Sequence, residues 1–232
     1  MERIDKVIGN QSNYSRKDIK DLIKKKRVKV NGEVILRPEF KVDSSTDIIS
    51  IDDVVLKVLD YVYLILNKPK GYVSATEDKN DLTVLDLVPD EYLHRDLFPA
   101  GRLDKDTTGL MIITDDGEFA HEILSPKKHV KKTYIVEIDI SMDEKMVDGF
   151  KDGVLLNDGV CKTASLEITG EKTGIVTLTE GRYHQIKRMF GCFGAKVVEL
   201  KRIGMGSLML PAELPEGSCR ELTDDELILI KK

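Results

Sequence analysis

Apolar and polar positions in the first part of the chain follow two periods in succession. Residues 3–8 and 19–23 each place apolar side chains on one face at helical spacing. Ser15 and Asp18 stand three positions apart, as in a capping box, and predict that the second helix begins there. Residues 28–35 then alternate around Asn31-Gly32, which predicts a tight hairpin. A second alternating run over 47–56 ends this unit.

The pattern changes after residue 60, where apolar runs become longer and recur between turn residues. Residues 57–60 are expected to link the two parts. Strands are predicted at 61–66, 110–114, 133–138, 174–179 and 196–203, and helices at 118–124 and 183–193. Many strands with few helices predict an α+β fold, in which a small N-terminal α/β domain (1–58) precedes a larger domain (59–232). We expect the larger domain to contain a mixed, largely antiparallel sheet flanked by helices.

Charge is distributed unevenly along the chain. The net charge is −5, but residues 14–41 contain ten Lys/Arg and four Asp/Glu, a local excess of +6 that leaves −11 elsewhere. A basic module on an acidic body is typical of a nucleic-acid-binding arm. The alternative is a helix face that is charged only because it faces water.

Composition excludes several classes of protein. No apolar run approaches the ~20 residues of a membrane span, and the charged start Met1-Glu2-Arg3-Ile4 lacks the apolar core of an export signal. We therefore expect a cytoplasmic protein. The three cysteines and four histidines are scattered, which predicts neither a disulfide framework nor a metal site.

The segment 101–110 is the strongest candidate for chemistry. It contains Arg102, Asp104 and Asp106 in a glycine-bounded polar loop that leads into an apolar strand. Loops on a rigid scaffold often carry catalytic groups. From the residues alone, a structural ion pair between Arg102 and Asp104 is as good an explanation, and a glycosidase with Asp104 and Asp106 as paired carboxylates is a further one.

Four segments together, 67–71, 101–110, 132–134 and 180–189, resemble the pseudouridine synthases of the RsuA type, and the similarity runs from about Tyr61 to the C-terminus. The first unit resembles the RNA-binding domain known from ribosomal protein S-four. Its matching residues are Arg3-Ile4-Asp5-Lys6, Ser15-Arg16, Leu22-Ile23 and Arg27-Val28-Lys29-Val30-Asn31-Gly32. It departs from that family at Lys26, where a glycine usually ends the helix.

The resemblance implies a role for each matching residue. Asp104 corresponds to the catalytic aspartate, and Lys187 to the basic residue that pairs with it. Tyr134 corresponds to the tyrosine that stacks on the flipped uracil, and Leu200 to an apolar wall of that pocket. Arg102 is expected to contact the RNA backbone or assist base flipping. Without the family, a core aromatic is the favoured interpretation of Tyr134, and Leu200 fits a plain core equally well. Lys187 alone would be interpreted as a solvent-exposed lysine on a helix, the usual case.

Basic residues along both domains are expected to contact RNA phosphates, which position the strand without reading its sequence. In the first domain they are Arg16, Lys17, Lys20, Lys24, Arg27 and Lys29, and in the second Lys68, Lys132 and Arg188, with Lys127, Lys128 and Lys131 close by. The alternative for all of them is ordinary protein surface.

The resemblance predicts an isomerase of ribosomal RNA that converts a uridine to pseudouridine after base flipping, without a metal or other cofactor. Tyr183-His184-Gln185 and the absence of a long basic tail favour small-subunit rRNA over large-subunit rRNA. The expected partner is rRNA or a ribosomal assembly intermediate, bound by a monomer without a membrane. A non-catalytic RNA-binding assembly factor is the alternative from another class.

Overall fold

The computed structural model describes residues 1–125 and 128–231. Two compact units are present: Met1–Val62 with Val88–Leu97, and Tyr63–Leu87 with Phe98–Lys232. The chain therefore returns to the first unit after the second has begun. The boundary at residue 58 stays a prediction.

Two short helices form one layer of the first unit: α1 (Ile4–Asn10) and α2 (Arg16–Lys24). The predicted capping box is confirmed, since Ser15 accepts from the backbone N–H of Asp18 and the Asp18 carboxylate accepts from that of Ser15. The apolar stripes of both helices are buried, which confirms the helical spacing. They pack in one core with residues of the following strands.

Short strands complete this unit: β1 (Glu2–Arg3), β2 (Val28–Val30), β3 (Glu33–Val34), β4 (Lys41–Val42), β5 (Ile49–Ile51) and β6 (Val54–Val55). β1 pairs with β4, and the other four form a sheet in the order β3-β2-β5-β6. The hairpin at Asn31-Gly32 is confirmed, and both residues have positive φ (52° and 86°). Lys26, in the position of the family's glycine, has a φ of 60°.

The alternating run 47–56 forms two strands joined by a tight turn, which the alternation alone did not indicate. Asp52 and Asp53 both take left-handed backbone conformations, with φ of 53° and 68°, and turn the chain into a second hairpin. Val54 and Val55 consequently lie on an exposed edge strand. Aspartate tolerates this conformation better than most residues, which is why the turn forms without glycine.

Eleven strands lie in the described part of the second unit: β7 (Tyr63–Lys68), β8 (Phe98–Pro99), β9 (Thr108–Thr114), β10 (Lys132–Ile138), β11 (Leu155–Leu156), β12 (Gly159–Val160), β13 (Ser165–Ile168), β14 (Thr173–Leu178), β15 (Val197–Met205), β16 (Leu208–Met209) and β17 (Cys219–Glu221). The main sheet has the order β13-β14-β10-β15-β9-β7-β17, with β16 on β15 and β8 on β9. β15 and β9 pair in parallel and the other neighbours are antiparallel. The predicted mixed, largely antiparallel sheet is therefore confirmed.

In the part of the second unit that the structure describes, four α-helices flank this sheet: α3 (Gly117–Leu124), α4 (Glu144–Asp152), α5 (Gln185–Gly191) and α6 (Asp224–Ile230). α3 and α5 match the predicted helices, while α4 and α6 were missed. The core between α3, α6 and the sheet includes Ile65, Ile112, Phe119 and Ile230. None of the helices in residues 1–125 and 128–231 has the length and apolarity to cross a membrane.

Candidate active site

The loop that carries Asp104 is fixed by the backbone on both sides. Gly101 has a φ of 98°, a conformation that favours glycine, and begins the loop directly after β8. The Ser74 hydroxyl donates to the carbonyl of Leu103 (2.8 Å) and accepts from its N–H (2.9 Å). The N–H of Thr107 then donates to the carbonyl of Asp104 (3.1 Å), so a tight turn presents the carboxylate.

Lys68 supports the same loop from inside the protein. Its side chain is fully buried, and its ammonium donates to the carbonyls of Thr107 (2.8 Å), Asp104 (3.1 Å) and Pro69 (3.1 Å). Burial lowers the pKa of Lys68 to about 8, although Asp106 and Asp104 act in the opposite direction. The prediction that Lys68 contacts RNA is therefore corrected, because its ammonium donates to the carbonyls of the loop and does not line the open space beside Asp104.

Lys187 lies between the two carboxylates of the loop. Its ammonium is 3.0 Å from the Asp104 carboxylate and 2.5 Å from that of Asp106. The expected contact between Lys187 and Asp104 is thus present across more than 80 positions of sequence. Burial opposes the charge on Lys187, but hydrogen bonds with Asp106 and Asp104 outweigh it and raise its pKa. Asp104 and Asp106 both contact the same ammonium, whereas the two carboxylates of a glycosidase face each other across the substrate.

His184 is a further partner of Asp104 that the sequence did not indicate. Its Nε2 lies 3.4 Å from the Asp104 carboxylate. The backbone at His184 has a φ of 48° immediately before α5, and its ring stacks on Tyr183 with centroids 3.8 Å apart. The segment 183–187 therefore supplies two partners of Asp104, His184 and Lys187. Tyr183 of the same segment remains largely exposed.

Arg102 does not form the ion pair that its position in sequence suggested. Within the residues that the structure describes, its guanidinium has no carboxylate partner, and its side chain is exposed. The interpretation of Arg102 and Asp104 as a structural pair is therefore wrong. Arg102 is instead free to contact a ligand at the edge of the site.

A small pocket of about 90 Å³ opens beside the carboxylate. Asp104, Tyr134 and Leu200 all line it, together with Thr107 and Arg102. Tyr134 and Leu200 stand on the neighbouring strands β10 and β15 and are 8% and 7% exposed. Among the described residues the buried hydroxyl of Thr107 has no hydrogen-bond partner, so it is a further polar group that the pocket offers beside its aromatic and apolar walls.

Comparison with known proteins identifies the chain. The sequence profile of the RNA pseudouridylate synthase family matches residues 62–191, and that of the S4 domain matches residues 2–49. The chain belongs to the RNA pseudouridine synthase family. An uncharacterised RNA pseudouridine synthase of Bacillus subtilis is 39% identical over 99% of this chain and 98% of its own length.

Two further relatives agree with this assignment. The ribosomal small subunit pseudouridine synthase A of Escherichia coli is 39% identical over 97% of this chain and 98% of its own length. A crystal structure of a pseudouridylate synthase superimposes with a TM-score of 0.70 at 36% identity, covering 99% of this chain and all of the other. The similarity to the RsuA type therefore extends over the S4 domain and the synthase domain.

The basic residues expected to bind RNA fall into two groups in this pseudouridine synthase. Those on α2 are exposed and have no carboxylate within ion-pair distance among the described residues: Arg16, Lys17, Lys20 and Lys24. The others have partners within the protein: Arg27 binds Asp52, Lys29 binds Asp53 and Arg188 binds Asp158. The exposed α2 residues are therefore better placed to bind a strand.

The remaining basic residues differ from the prediction in their burial. Lys132 was expected on the surface, but only 7% of it is exposed, and its ammonium donates to the carbonyl of Val130 (3.3 Å). Lys128 and Lys131 are exposed, and Lys127 lies outside the described residues.

Proposed function

We propose that this protein isomerises a uridine of small-subunit ribosomal RNA to pseudouridine, with Asp104 as the catalytic carboxylate. The observation that supports this best is the position of Asp104 at the pocket formed with Tyr134 and Leu200, 3.0 Å from the Lys187 ammonium. A cation at this distance orients the carboxylate through a charge-assisted contact. The pocket thereby combines a charged reactive group with a flat wall suited to a base.

The reaction moves one bond of the nucleoside. The bond from the ribose anomeric carbon to N1 of uracil breaks, a bond from the same carbon to C5 forms, and a proton passes from C5 to N1. The Asp104 carboxylate acts as nucleophile or as the counter-charge of an oxocarbenium-like centre. The isomerisation is redox-neutral.

Tyr134 and Arg102 are assigned to binding of the flipped base. A uridine within structured RNA has to leave its stack before its base can enter the pocket at Asp104. Stacking on Tyr134 offsets part of that cost, by roughly 1–3 kcal/mol for one base. Arg102, exposed and without an internal partner, is placed to contact the strand that the base has left, and Leu200 closes the pocket from the adjacent strand.

Small-subunit rRNA is proposed as substrate from two observations. The E. coli relative is named for the small ribosomal subunit, and this chain contains Tyr183-His184-Gln185 where large-subunit enzymes more often resemble Asn-Arg-Gln. Mapping pseudouridines in both rRNAs of cells with and without the protein tests the assignment. We expect one position of small-subunit rRNA to lose its modification. Loss from large-subunit rRNA would favour the alternative substrate, and loss from neither would contradict the proposal.

The exposed basic residues of α2 are proposed to hold the rRNA, free or in an assembly intermediate. Replacing Lys20 and Lys24 by glutamine removes two cations without altering the apolar face of the helix. We expect the salt dependence of rRNA binding to become shallower by up to about 0.9 for each lost phosphate contact. Lys145→Gln on α4, a third exposed lysine, serves as control. An unchanged slope would show that α2 does not bind the rRNA.

A non-catalytic assembly factor is the competing function. It would bind rRNA through α2 but would not need Asp104, Lys187 and Tyr134 together at one pocket. The competing function predicts that purified protein leaves the pseudouridine content of an rRNA transcript unchanged, whereas the proposed function predicts that pseudouridine forms at one site.

We propose further that the protein is a cytoplasmic monomer. Gel filtration with light scattering tests the monomeric state.

A further inference from the structure

A groove of about 670 Å³ adjoins the pocket, and Asp104 and Tyr134 line both. All three carboxylates of the groove have partners. Asp104 contacts Lys187, Glu180 contacts Gln185 (2.7 Å), and Asp78 accepts from the backbone of Asn80 and Asp81. The negative charges of the groove are therefore already compensated.

The positive charges of the groove are not all compensated. Lys105 is paired with Asp81 (2.5 Å) and Arg182 with Glu180 (3.5 Å). In the part of the chain that the structure describes, Arg102, Lys132 and Arg202 line the groove without an ion-paired carboxylate. The groove thus has an excess of cations directly beside the proposed catalytic group.

Two of these cations are deeply buried. Lys132 is 7% and Arg202 2% exposed. Arg202 donates from Nε to the carbonyl of Leu110 (2.6 Å), and among the described residues its Nη2 has the sulfur of Met111 (3.9 Å) as its one hydrogen-bond partner. The Lys132 ammonium donates to one carbonyl. Both cations retain N–H groups without a strong acceptor, and burial of a charge is costly unless it is paired.

Strand register places the two cations on one side of the sheet. Tyr134 is the direct partner of Arg202 across β10 and β15, and Lys132 stands two residues before Tyr134 on the same face. The pKa of Lys132 is lowered to about 8, mainly by burial and in addition by the nearby charge of Arg202. Two neighbouring cations that repel each other in the wall of an open groove are stabilised when an anion binds between them.

We propose that Lys132 and Arg202 form a phosphate subsite that binds a phosphodiester of the RNA strand next to the flipped uridine. This rests on the proposed function, because a nucleotide whose base enters the pocket brings its flanking phosphates into the adjoining groove. The subsite holds the backbone on the side of Tyr134, while Arg102 contacts it from the Asp104 loop. It fixes the position of the strand and does not read its sequence.

The test uses full-length protein and an in vitro transcript of small-subunit rRNA as probe. Lys132→Met removes the charge and keeps an unbranched side chain of similar length. We expect its rRNA affinity at low salt to fall about tenfold, and the slope of log affinity against log salt to decrease by about 0.7–0.9. We also expect its melting temperature to rise, because the repulsion with Arg202 is removed. A purely structural lysine would give a lower melting temperature and an unchanged salt slope.

Three comparisons make the result decisive. Lys132→Gln repeats the measurement if the methionine variant does not fold, and Lys145→Gln on α4 controls for loss of one surface charge. Inorganic phosphate is added separately in melting experiments. Unchanged rRNA affinity and an unchanged salt slope in the Lys132 variants would overturn the proposal. So would a second result: inorganic phosphate raises the melting temperature of wild type but not of Lys132→Met, while both proteins bind rRNA equally well. Failure of the proposed function gives a different result: wild-type protein would bind the transcript but form no pseudouridine in it.

Discussion

Lys68 provides a quantitative test of the structure, because it is a fully buried cation whose partners are carbonyls rather than carboxylates. Replacing Lys68 by methionine removes the ammonium and retains most of the apolar stem. The pKa of Lys68 falls from an ordinary value of 10.5 to about 8 through burial. Since one pKa unit corresponds to about 1.4 kcal/mol, burying the charge costs the folded protein roughly 3 kcal/mol below pH 8.

The sign of the pH dependence follows from the lowered pKa. Between pH 8 and 10.5 the unfolded chain keeps the proton on Lys68 and the folded protein has released it. Folding then becomes more favourable as pH rises. Wild type should gain roughly 3 kcal/mol relative to Lys68→Met across this interval. Other groups that titrate there, including Lys132 and Cys219, are present in both proteins and cancel in the difference.

Urea unfolding of both proteins at a series of pH values from 7 to 10.5 measures this difference. Lys70→Met is the matched control, since Lys70 is half exposed and pairs with Glu199 at the surface. It should change the free energy of unfolding by less than about 1 kcal/mol throughout. A difference between wild type and Lys68→Met that stays constant with pH would refute the buried, charged state of Lys68.

Two further predictions follow from ion pairs. Lys187→Gln should lower kcat/KM on rRNA roughly 10- to 100-fold through loss of its charge-assisted contact with Asp104. Lys187→Arg should retain most of the activity. Equal rates for wild type and Lys187→Gln would contradict the role of the Asp104–Lys187 pair. The pKa of Glu226 is lowered to about 2 by its hydrogen bond from Arg220. Glu226→Gln should therefore cost about 2 kcal/mol at pH 7, and this cost should disappear as pH falls from 4.5 to 2, measured by thermal unfolding.

Local features of the fold were predictable because short-range chemistry determines them. The capping box at Ser15 and the hairpin at Asn31-Gly32 each depend on a few adjacent residues, and both are present. The second hairpin was missed, since Asp52-Asp53 is a weaker turn signal than Asn-Gly. Helix α4 was also missed, although Met146 and Phe150 are its buried positions at i and i+4.

The site was predictable only in part. The contact between Asp104 and Lys187 joins elements far apart in sequence, and only the resemblance to a family indicated it. Burial of Lys68 and Lys132 was not foreseen, because a lysine in a strand is expected at the surface unless its tertiary partners are known. His184 reaches Asp104 through a left-handed backbone conformation that no periodicity reveals.

Pseudouridine formation by Asp104→Asn and Asp106→Asn, side by side on an rRNA transcript, tests the central claim most directly. Both carboxylates contact Lys187, but only Asp104 lines the pocket with Tyr134. Each substitution removes one negative charge and preserves side-chain shape. The account predicts that Asp104→Asn binds the transcript but forms no pseudouridine, while Asp106→Asn remains active. Isomerisation by Asp104→Asn at the wild-type rate would contradict it.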